Sequence, residues 1–369
     1  MKKKVLILAN CASGLYDFRN ELLLALLKEY EVHVSLPDEE DVPELSEEGC
    51  IVHHTELERR GMNPLKDSRL MLRYLGLMRK VKPDAVLTYT IKPNIYGSLC
   101  ARFLKIPYIV NITGLGSAFE EDGMLRKLVV FLYKSALKKA NCVFFQNERN
   151  RDIFTGFGIK GKKDRLVPGS GVNLKRHCFE EYPDSKEPVR LLFVGRIMKE
   201  KGTDELLYAA EQVKKEYPDV RFEIVGSYED DYKELIEAKE KEGIVHLTGY
   251  QKIIHPYYKA CSAAVMPSYH EGMSNVILEA AACGRPVLAS DIPGCREGFE
   301  DGVTGIGFAP RDKEAFLLAV KKFLQLSYEE RKEMGRAARL KMEQEFDRKI
   351  VVGAYLEEIE ACTDGRKKP

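Results

Sequence analysis

Two glutamates eight residues apart, Glu271 and Glu279, flank a segment whose residue types could bind a phosphate and sugar hydroxyls. A short apolar run before them is typical of a buried parallel strand, and Ser274 can cap a helix over about residues 275–283. Unpaired backbone N–H groups at residues 273–276 would then suit an anion. Such a segment fits a nucleotide-sugar, although two solvated glutamates are the simpler interpretation of the spacing alone.

A second loop brings positive charge to the same half of the chain. Arg196 and Lys201 lie between an apolar strand pattern and a helix that Thr203 could cap. Fixed cations here would stabilise a departing diphosphate, and a solvated basic loop is the alternative. The sequence contains no Gly-x4-Gly-Lys-Ser/Thr motif, which excludes a Walker A loop.

The elements that must position these loops alternate along the whole chain, which predicts an α/β fold with parallel sheets covered by helices on both faces. The first six predicted strands are 5–9, 31–36, 51–54, 85–89, 108–112 and 142–146. The next six are 191–194, 222–225, 245–248, 263–266, 287–290 and 305–308. In the first half we also predict helices over 18–28, 68–81, 95–104 and 124–140.

Length and composition favour two domains. The chain has 369 residues, of which 44% are hydrophobic, enough for two ordinary cores. A polar, turn-rich stretch over 168–188 reads as the linker between them. We therefore predict an N-terminal domain over 1–172, a C-terminal domain over 173–345 and a closing helix and tail over 346–369.

The nine cysteines are an odd number, scattered and without a Cys-x-x-Cys pair, which favours a reducing cytoplasm and no metal cluster. The apolar start over 5–9 is too short for a secretory signal, and no apolar run approaches the roughly 20 residues of a membrane span.

The motifs around both loops resemble a known enzyme family. Glu271-x7-Glu279, followed by a helix of small residues and Gly284-Arg285-Pro286, resembles the donor site of retaining glycosyltransferase family 4, and Gly195-Arg196 with Lys201-Gly202 matches that family's diphosphate loop. The resemblance implies the GT-B fold, in which two Rossmann-like, doubly wound domains face each other across a cleft. It also implies a terminal helix that crosses back toward the first domain.

The same resemblance assigns roles on the donor side. Arg196 and Lys201 would hold the diphosphate, Glu271 would bind the sugar hydroxyls beside the anomeric carbon, and Glu279 would accept from the ribose. We take Arg196, Lys201 and Glu271 as the catalytic residues. Three further residues at the helix start would line the donor: Met273, Ser274 and Asn275.

Residues of the first domain would meet the acceptor. Gly14 matches the family's glycine loop, and Arg19 could reach an acceptor pyrophosphate, although a solvated arginine is the commoner role. The segments that contain Lys92 and the pair Thr113-Gly114 begin at strand ends and resemble branches that build bacterial glycans on undecaprenyl diphosphate. Many relatives carry histidine where this chain has Thr113, so a histidine-centred role is not available here.

Charge is unevenly distributed along the chain, and its basic region is a candidate membrane-binding surface. The chain carries a net charge of +1, yet residues 59–176 hold 24 basic and 8 acidic residues. Over 124–139 we expect Leu125, Leu128, Val129 and Leu132 to face a core, opposite a basic sector. That sector would bind an anionic bilayer from the cytoplasm, or be an ordinary solvated face. The acidic second half and the lack of a nucleic-acid motif argue against nucleic acid.

The hypothesis from sequence is transfer of a hexose or N-acetylhexosamine, with GalNAc favoured, from a UDP-sugar to an undecaprenyl-diphosphate-linked sugar in bacterial glycan or glycoprotein assembly. No Asp-x-Asp motif occurs, and Glu229-Asp230-Asp231 reads as a solvated turn or helix start, so we expect no metal and no other cofactor. The runner-up is a non-hydrolysing UDP-sugar epimerase of the same architecture. A periplasmic sugar-binding protein would need export, which the missing signal and free cysteines disfavour.

Overall fold

The structure is a computed structural model that describes residues 2–37, 42–58, 63–114, 119 and 123–364. It divides into two compact units, one formed by Met1–Ser170 with Lys349–Pro369 and the other by Gly171–Arg348. The first boundary lies two residues before the position expected from sequence, and the second lies three residues after it. The first unit is therefore discontinuous along the chain.

In the described part of the first unit, seven parallel strands form one sheet in the order β3-β2-β1-β4-β5-β6-β7. The strands are β1 Lys3–Leu8, β2 Tyr30–Leu36, β3 Ile51–His54, β4 Ala85–Tyr89, β5 Tyr108–Ile112, β6 Cys142–Phe145 and β7 Asp164–Leu166. Their carboxyl ends meet at one edge, so the loops after β1, β4 and β5 lie near one another.

Helices cover both faces of this sheet. They are α1 Ala12–Glu29, α2 Val42–Glu47, α3 Pro64–Val81, α4 Ser98–Phe103, α5 Met124–Leu137 and α6 Glu148–Gly156, with a π-helical turn at Pro93–Gly97. The apolar faces of α1 and α2 share one core cluster, and those of α3, α4 and α5 share the other.

The last helix, α13 (Arg348–Asp364), completes the first unit's core. Its Tyr355 ring lies 4.3 Å from the ring of Phe144 on β6, and Ile359 is fully buried in the same cluster. Glu358 accepts from Lys163 at 2.5 Å and from Arg165 at 2.9 Å. These ion pairs hold the pKa of Glu358 below its usual value against the opposing effect of burial.

The second unit, all of whose residues are described, has a six-stranded parallel sheet in the order β10-β9-β8-β11-β12-β13. The strands are β8 Arg190–Val194, β9 Arg221–Val225, β10 Val245–Gly249, β11 Ala263–Met266, β12 Val287–Ser290 and β13 Gly305–Phe308. The helices are α7 Thr203–Glu216, α8 Lys233–Lys241, α9 His255–Ala260, α10 Asn275–Ala282, α11 Lys313–Gln325 and α12 Tyr328–Glu345.

The parallel α/β architecture expected from the sequence is confirmed, with differences at several elements. Helix α1 begins at Ala12, six residues earlier than predicted, so Gly14 lies in its first turn. Helices α2 and α6 and the three-residue strand β7 were not predicted, because each is too short to show a clear period. None of the described helices combines the length and apolar content that crossing a bilayer requires.

The orientation predicted for α5 was wrong in part. Leu125 and Leu128 are exposed, whereas Val129, Val130 and Tyr133 are buried against the sheet. The apolar residues of α5 extend nearly around its circumference, so a helical wheel does not decide which sector meets the core.

A buried arginine fastens the segment before β8 to α9. Arg285 is fully buried and donates only to backbone carbonyls. Its acceptors are Tyr258 at 2.8 Å, Lys259 at 2.8 Å, Glu180 at 2.9 Å, Glu181 at 2.8 Å and Gly284 at 3.2 Å. Five donors in one rigid fork match this set of acceptors, which an ammonium group could not.

We expect Arg285→Met to lower the free energy of unfolding by at least about 3 kcal/mol, because it leaves buried carbonyl groups without donors. Urea denaturation of the full-length protein measures the change. The control is Arg336→Met, which removes an exposed arginine paired with Glu333 and should change stability by less than about 0.5 kcal/mol. Equal effects from the two substitutions would show that the carbonyl network is not stabilising.

Candidate functional site

Three loops at the carboxyl ends of β8, β11 and β12 lie in contact in the second unit; we call residues 195–202, 267–274 and 291–295 the donor loops. Gly202, which has a left-handed backbone (φ 74°), ends the first of them. A Cβ atom at Gly202 would lie 2.1 Å from the carbonyl oxygen of Pro267, so only glycine permits this approach. The amide of Tyr269 donates to the carbonyl of Glu200 at 2.9 Å and adds a second link.

This contact brings together two of the residues that the sequence singled out. Lys201 Nζ lies 2.5 Å from Glu271 Oε1, and the two side chains are only 20% and 13% exposed. The pair is therefore shielded from solvent and fixed by the backbone contact between its loops. Opposite charges at this distance in a half-buried setting interact more strongly than a surface pair does.

The third donor loop supports the second from behind. Gly294 has φ 89°, and a Cβ atom there would lie 2.5 Å from the carbonyl oxygen of Glu271. Its carbonyl accepts from the amide of Ser274 at 2.7 Å, and its own amide donates to Glu297 at 2.7 Å. The Ser274 amide is thus already hydrogen-bonded, which corrects the expectation that every N–H group over 273–276 is unpaired.

Ser274 occupies the N-cap position of α10, but its side chain does not cap the helix. Its hydroxyl is buried and has no hydrogen-bond partner among the described residues. Met273 is buried in an apolar cluster with Leu278 and Met342, so only its backbone is available to a ligand. Asn275 is the first helical residue and is half-buried.

Glu279, on the second turn of α10, is held by Tyr258 and lies near His177. Tyr258 donates its hydroxyl to Glu279 Oε2 at 2.9 Å, and His177 Nε2 lies 3.9 Å from Oε1. Burial raises the pKa of the Tyr258 phenol well above its usual value, so it remains a donor. Burial also lowers the pKa of His177 to about 3, which keeps its ring neutral. The Glu279 carboxylate thus has a fixed orientation.

The predicted diphosphate residue Arg196 is half-exposed and lies 3.2 Å from Glu229. The adjacent Asp230 accepts from the backbone amide of Lys199 at 3.0 Å. The acidic run at 229–231 therefore contacts the first donor loop and is not simply a solvated turn. Thr203, predicted to cap α7, is instead its first residue, and its hydroxyl donates to the carbonyl of Met198 at 2.8 Å.

In the first unit, Arg19 is buried rather than solvated. Its guanidinium lies 5.4 Å from the centre of the Tyr89 ring and donates to the carbonyl of Phe18 at 2.9 Å. Gly14 lies five residues earlier on α1, where a Cβ atom would come within 2.8 Å of Cys11 Sγ. The commoner role assigned to Arg19 from sequence was therefore wrong.

Lys92 is mostly buried beside an acidic partner. Its Nζ lies 2.9 Å from Asp67 Oδ1, and Tyr96 donates to the other oxygen of that carboxylate at 3.1 Å. Thr113 and Gly114 follow β5 and are half-buried. The rest of the segment that drew attention in the sequence, residues 115–118, lies outside the described residues.

A group of buried polar side chains lies on β4, β5, the π-helical turn and the start of α4, mostly within the two segments that the sequence singled out, although its individual members were not predicted. Asn94 donates to the backbone carbonyl of Asn111 at 2.8 Å. Side-chain atoms of Thr88, Asn94, Ser98 and Asn111 are buried and have no partner among the described residues. Buried polar atoms of this kind are usually satisfied by water or by a ligand. For Thr88 and Asn111, a polar residue near the end of an apolar strand was the available signal.

Comparison with known proteins agrees with this geometry. Residues 176–341 match the family model "Glycosyl transferases group 1", and residues 4–147 match the family model "Glycosyl transferase 4-like". The chain is a GT-B glycosyltransferase of family 4. Two relatives from Campylobacter jejuni span most of this glycosyltransferase.

The first is N,N'-diacetylbacillosaminyl-diphospho-undecaprenol alpha-1,3-N-acetylgalactosaminyltransferase, 29% identical over 81% of this chain and 83% of its own length. The second is a 4-alpha-N-acetylgalactosaminyltransferase that acts on the corresponding GalNAc-bearing diphospho-undecaprenol, 27% identical over 82% and 85%. Among solved structures, Anabaena HepE in complex with UDP and glucose superimposes with a TM-score of 0.80 at 18% identity over 97% of this chain and 100% of its own. That likeness establishes the fold.

We expect Gly202→Ala to destabilise the second unit and weaken donor binding, because the added methyl group displaces the Pro267 backbone and separates Lys201 from Glu271. Urea denaturation should show a loss about 2 kcal/mol or more greater than that of Gly243→Ala. Gly243 has the similar φ of 69° but nothing near its would-be Cβ, so it isolates the steric contact from the backbone strain. Equal losses would contradict this interpretation of the loop contact.

Proposed function

We propose that this glycosyltransferase moves an N-acetylhexosamine or hexose, with GalNAc favoured, from a UDP-sugar to an undecaprenyl-diphosphate-linked sugar, with retention of anomeric configuration. The observation that carries the proposal is the contact between Lys201 and Glu271 at 2.5 Å. It sets an ammonium group and a carboxylate side by side at the start of α10, where a sugar diphosphate needs a cation and an acceptor of hydroxyl hydrogen bonds.

The remaining donor residues follow from this arrangement. Lys201 and Arg196 stabilise the charge that develops on the departing diphosphate, assisted by the Ser274 hydroxyl and the Asn275 amide at the N-terminus of α10. Glu271 accepts from the sugar hydroxyls, and its contact with Lys201 couples sugar position to phosphate position. Glu279, oriented by Tyr258, accepts from the ribose hydroxyls.

The acceptor and nucleotide are proposed from the relatives. Both Campylobacter enzymes are named for acceptors built on diphospho-undecaprenol and for the transfer of N-acetylgalactosamine in α linkage. HepE has been solved with UDP and with UDP-glucose. In the first unit, the partly exposed Lys92 and Thr113 would contact the acceptor.

A retaining reaction on one face of the sugar requires no covalent enzyme intermediate. The bond between the anomeric carbon and the diphosphate oxygen breaks, the acceptor hydroxyl forms the new bond on the same face, and its proton passes to the departing oxygen. Lys201 and Arg196 supply the cationic charge that a divalent metal supplies in other transferases, so we propose turnover without metal.

We expect UDP-GalNAc to be consumed fastest in a screen with UDP-Gal, UDP-Glc and UDP-GlcNAc, and only when a polyprenyl-diphosphate sugar is present. NMR of the product should show the α anomer, and EDTA should leave the rate unchanged.

Lys201→Met should lower kcat by about 100-fold or more, the usual effect of losing one group that stabilises transition-state charge.

The matched control is Lys239→Met. Lys239 lies on α8, away from the donor loops, but its side chain is also 20% exposed and its Nζ also lies 2.5 Å from a glutamate, Glu211. An inverted product, or a rate restored after EDTA by Mg²⁺, would contradict the corresponding part of the proposal. Detection of free epimerised nucleotide-sugar in the absence of an acceptor would show that the enzyme is an epimerase and not a transferase.

We further propose peripheral attachment to the inner face of the bacterial plasma membrane through α3, α4 and α5, which cover one face of the first unit's sheet. These three helices expose large apolar side chains, namely Leu65, Leu72, Phe103, Met124, Leu125, Leu128 and Phe131. We call these seven residues the apolar face. Exposed basic residues accompany it, including Arg69, Arg79, Lys127 and Lys134. Apolar side chains among basic ones suit the interface of an anionic bilayer.

We expect the full-length protein to float with anionic vesicles, and the double variant Met124→Ser/Phe131→Ser to bind them at least about tenfold more weakly, because each side chain is worth about 1.5–3 kcal/mol when buried. Leu318→Ser is the control: Leu318 on α11 is 66% exposed, against 65% for Phe131. Unchanged partitioning of the double variant, or no binding by the wild type, would rule out this surface.

A further inference from the structure

Three side chains that bind metals gather at the surface of the second unit. Cys178 and Glu180 lie in the irregular segment before β8, and His255 is the first residue of α9. His255 Nε2 lies 2.9 Å from Glu180 Oε1 and 3.7 Å from Cys178 Sγ. Cys178 Sγ lies 3.8 Å from the same Glu180 oxygen. A thiol, a carboxylate and an imidazole thus point at one another from two separate segments.

We propose that Cys178, Glu180 and His255 form a three-ligand site for a divalent cation of the zinc type, with the fourth position open to solvent. In tetrahedral zinc sites the metal lies about 2.3 Å from sulfur and about 2.0–2.2 Å from nitrogen or oxygen, so that ligand atoms are separated by about 3.4–3.6 Å. The three separations here, 2.9, 3.7 and 3.8 Å, are close to that triangle. Small side-chain rotations suffice to complete it.

The charges of the group also suit a divalent ion. On binding, the Cys178 thiol gives up its proton to solvent, so that one thiolate and one carboxylate neutralise the two positive charges while the imidazole stays neutral. His255 then carries its proton on Nδ1, which lies 3.5 Å from Cys283 Sγ. Lys259 lies 3.0 Å from the second oxygen of Glu180. Both neighbours act as outer partners that orient the ligands.

The backbone around the site is fixed before any ion binds. Arg285 ties the carbonyls of Glu180 and Glu181 to those of Tyr258 and Lys259 on α9. The amide of Glu180 also donates to the carbonyl of Cys283 at 3.3 Å. The segment that contains Cys178 and Glu180 is therefore held against α9, which contains His255. Because the ligands are already close together, binding costs little further conformational entropy.

A second triad, His177, His255 and Cys283, shares the same imidazole but is the poorer candidate. Cys283 is fully buried, and burial raises the pKa of its thiol, which opposes the thiolate that a metal needs. Cys178, in contrast, is exposed, and Glu180 and His255 are partly so. An ion can reach the first triad from solvent, with water as its fourth ligand.

The experiment uses Co²⁺ alone as a spectroscopic probe, added anaerobically to the full-length protein with a non-thiol reductant. We expect a thiolate-to-cobalt charge-transfer band and tetrahedral d–d bands that saturate at one ion per chain. Zn²⁺ should abolish them, because tetrahedral thiolate sites favour zinc. Cys178→Ser should remove the charge-transfer band, and His255→Gln or Glu180→Gln should weaken Co²⁺ binding at least about tenfold.

Two matched controls separate the site from scattered surface ligands. Cys11→Ser removes a half-buried thiol of the first unit, and His246→Gln removes an exposed histidine that also lies near a glutamate, Glu240, at 3.1 Å. Both should leave the bands intact. The proposal is overturned if the wild type shows no charge-transfer band, if the band survives Cys178→Ser, or if neither His255→Gln nor Glu180→Gln weakens binding. None of these readouts depends on sugar transfer, so they are independent of the proposed reaction.

Discussion

Backbone contact between the donor loops is the constraint on which the rest of this site depends. Gly202 lies directly against the Pro267 carbonyl, and Gly294 lies directly against the Glu271 carbonyl, at separations that exclude any Cβ atom. The backbone of the middle loop is consequently fixed by main-chain packing on both sides. This is how Lys201 and Glu271, 70 residues apart in sequence, come to lie 2.5 Å apart. A rigid support of this kind is what positioning of a reacting group demands.

The two ends of α10 are stabilised in different ways. At its start, Ser274 leaves its hydroxyl unused by the helix, while its amide is taken by Gly294. At its end, Gly284 adopts φ 76° and the following Arg285 is buried among carbonyls. The end that would meet a ligand therefore has a hydroxyl that makes no hydrogen bond within the described structure, and the opposite end makes the stabilising contacts. Binding and stability are divided between the ends of one short helix.

Much of the architecture could be predicted from the sequence because apolar β-rich runs mark parallel strands directly, and the observed β8–β13 lie within a residue of expectation. Pair contacts could not be predicted in the same way. Arg19 stacks on Tyr89, Lys92 meets Asp67, and Cys178 meets His255, in each case across segments far apart in the chain. The spacing of residues predicts which side chains are neighbours along one helix or strand, but not which side chains from distant segments are in contact. The orientation of α5 was misjudged for a related reason, since its apolar residues offer two possible core faces.

The discontinuity of the first unit has a consequence for biosynthesis. Its core is incomplete until α13 supplies Tyr355 and Ile359, yet the whole of the second unit, Gly171–Arg348, is made before that helix. Translation proceeds from the amino terminus, and domains fold as units once their residues have emerged from the ribosome. The first unit therefore cannot complete its core until nearly the whole of the second unit has been synthesised.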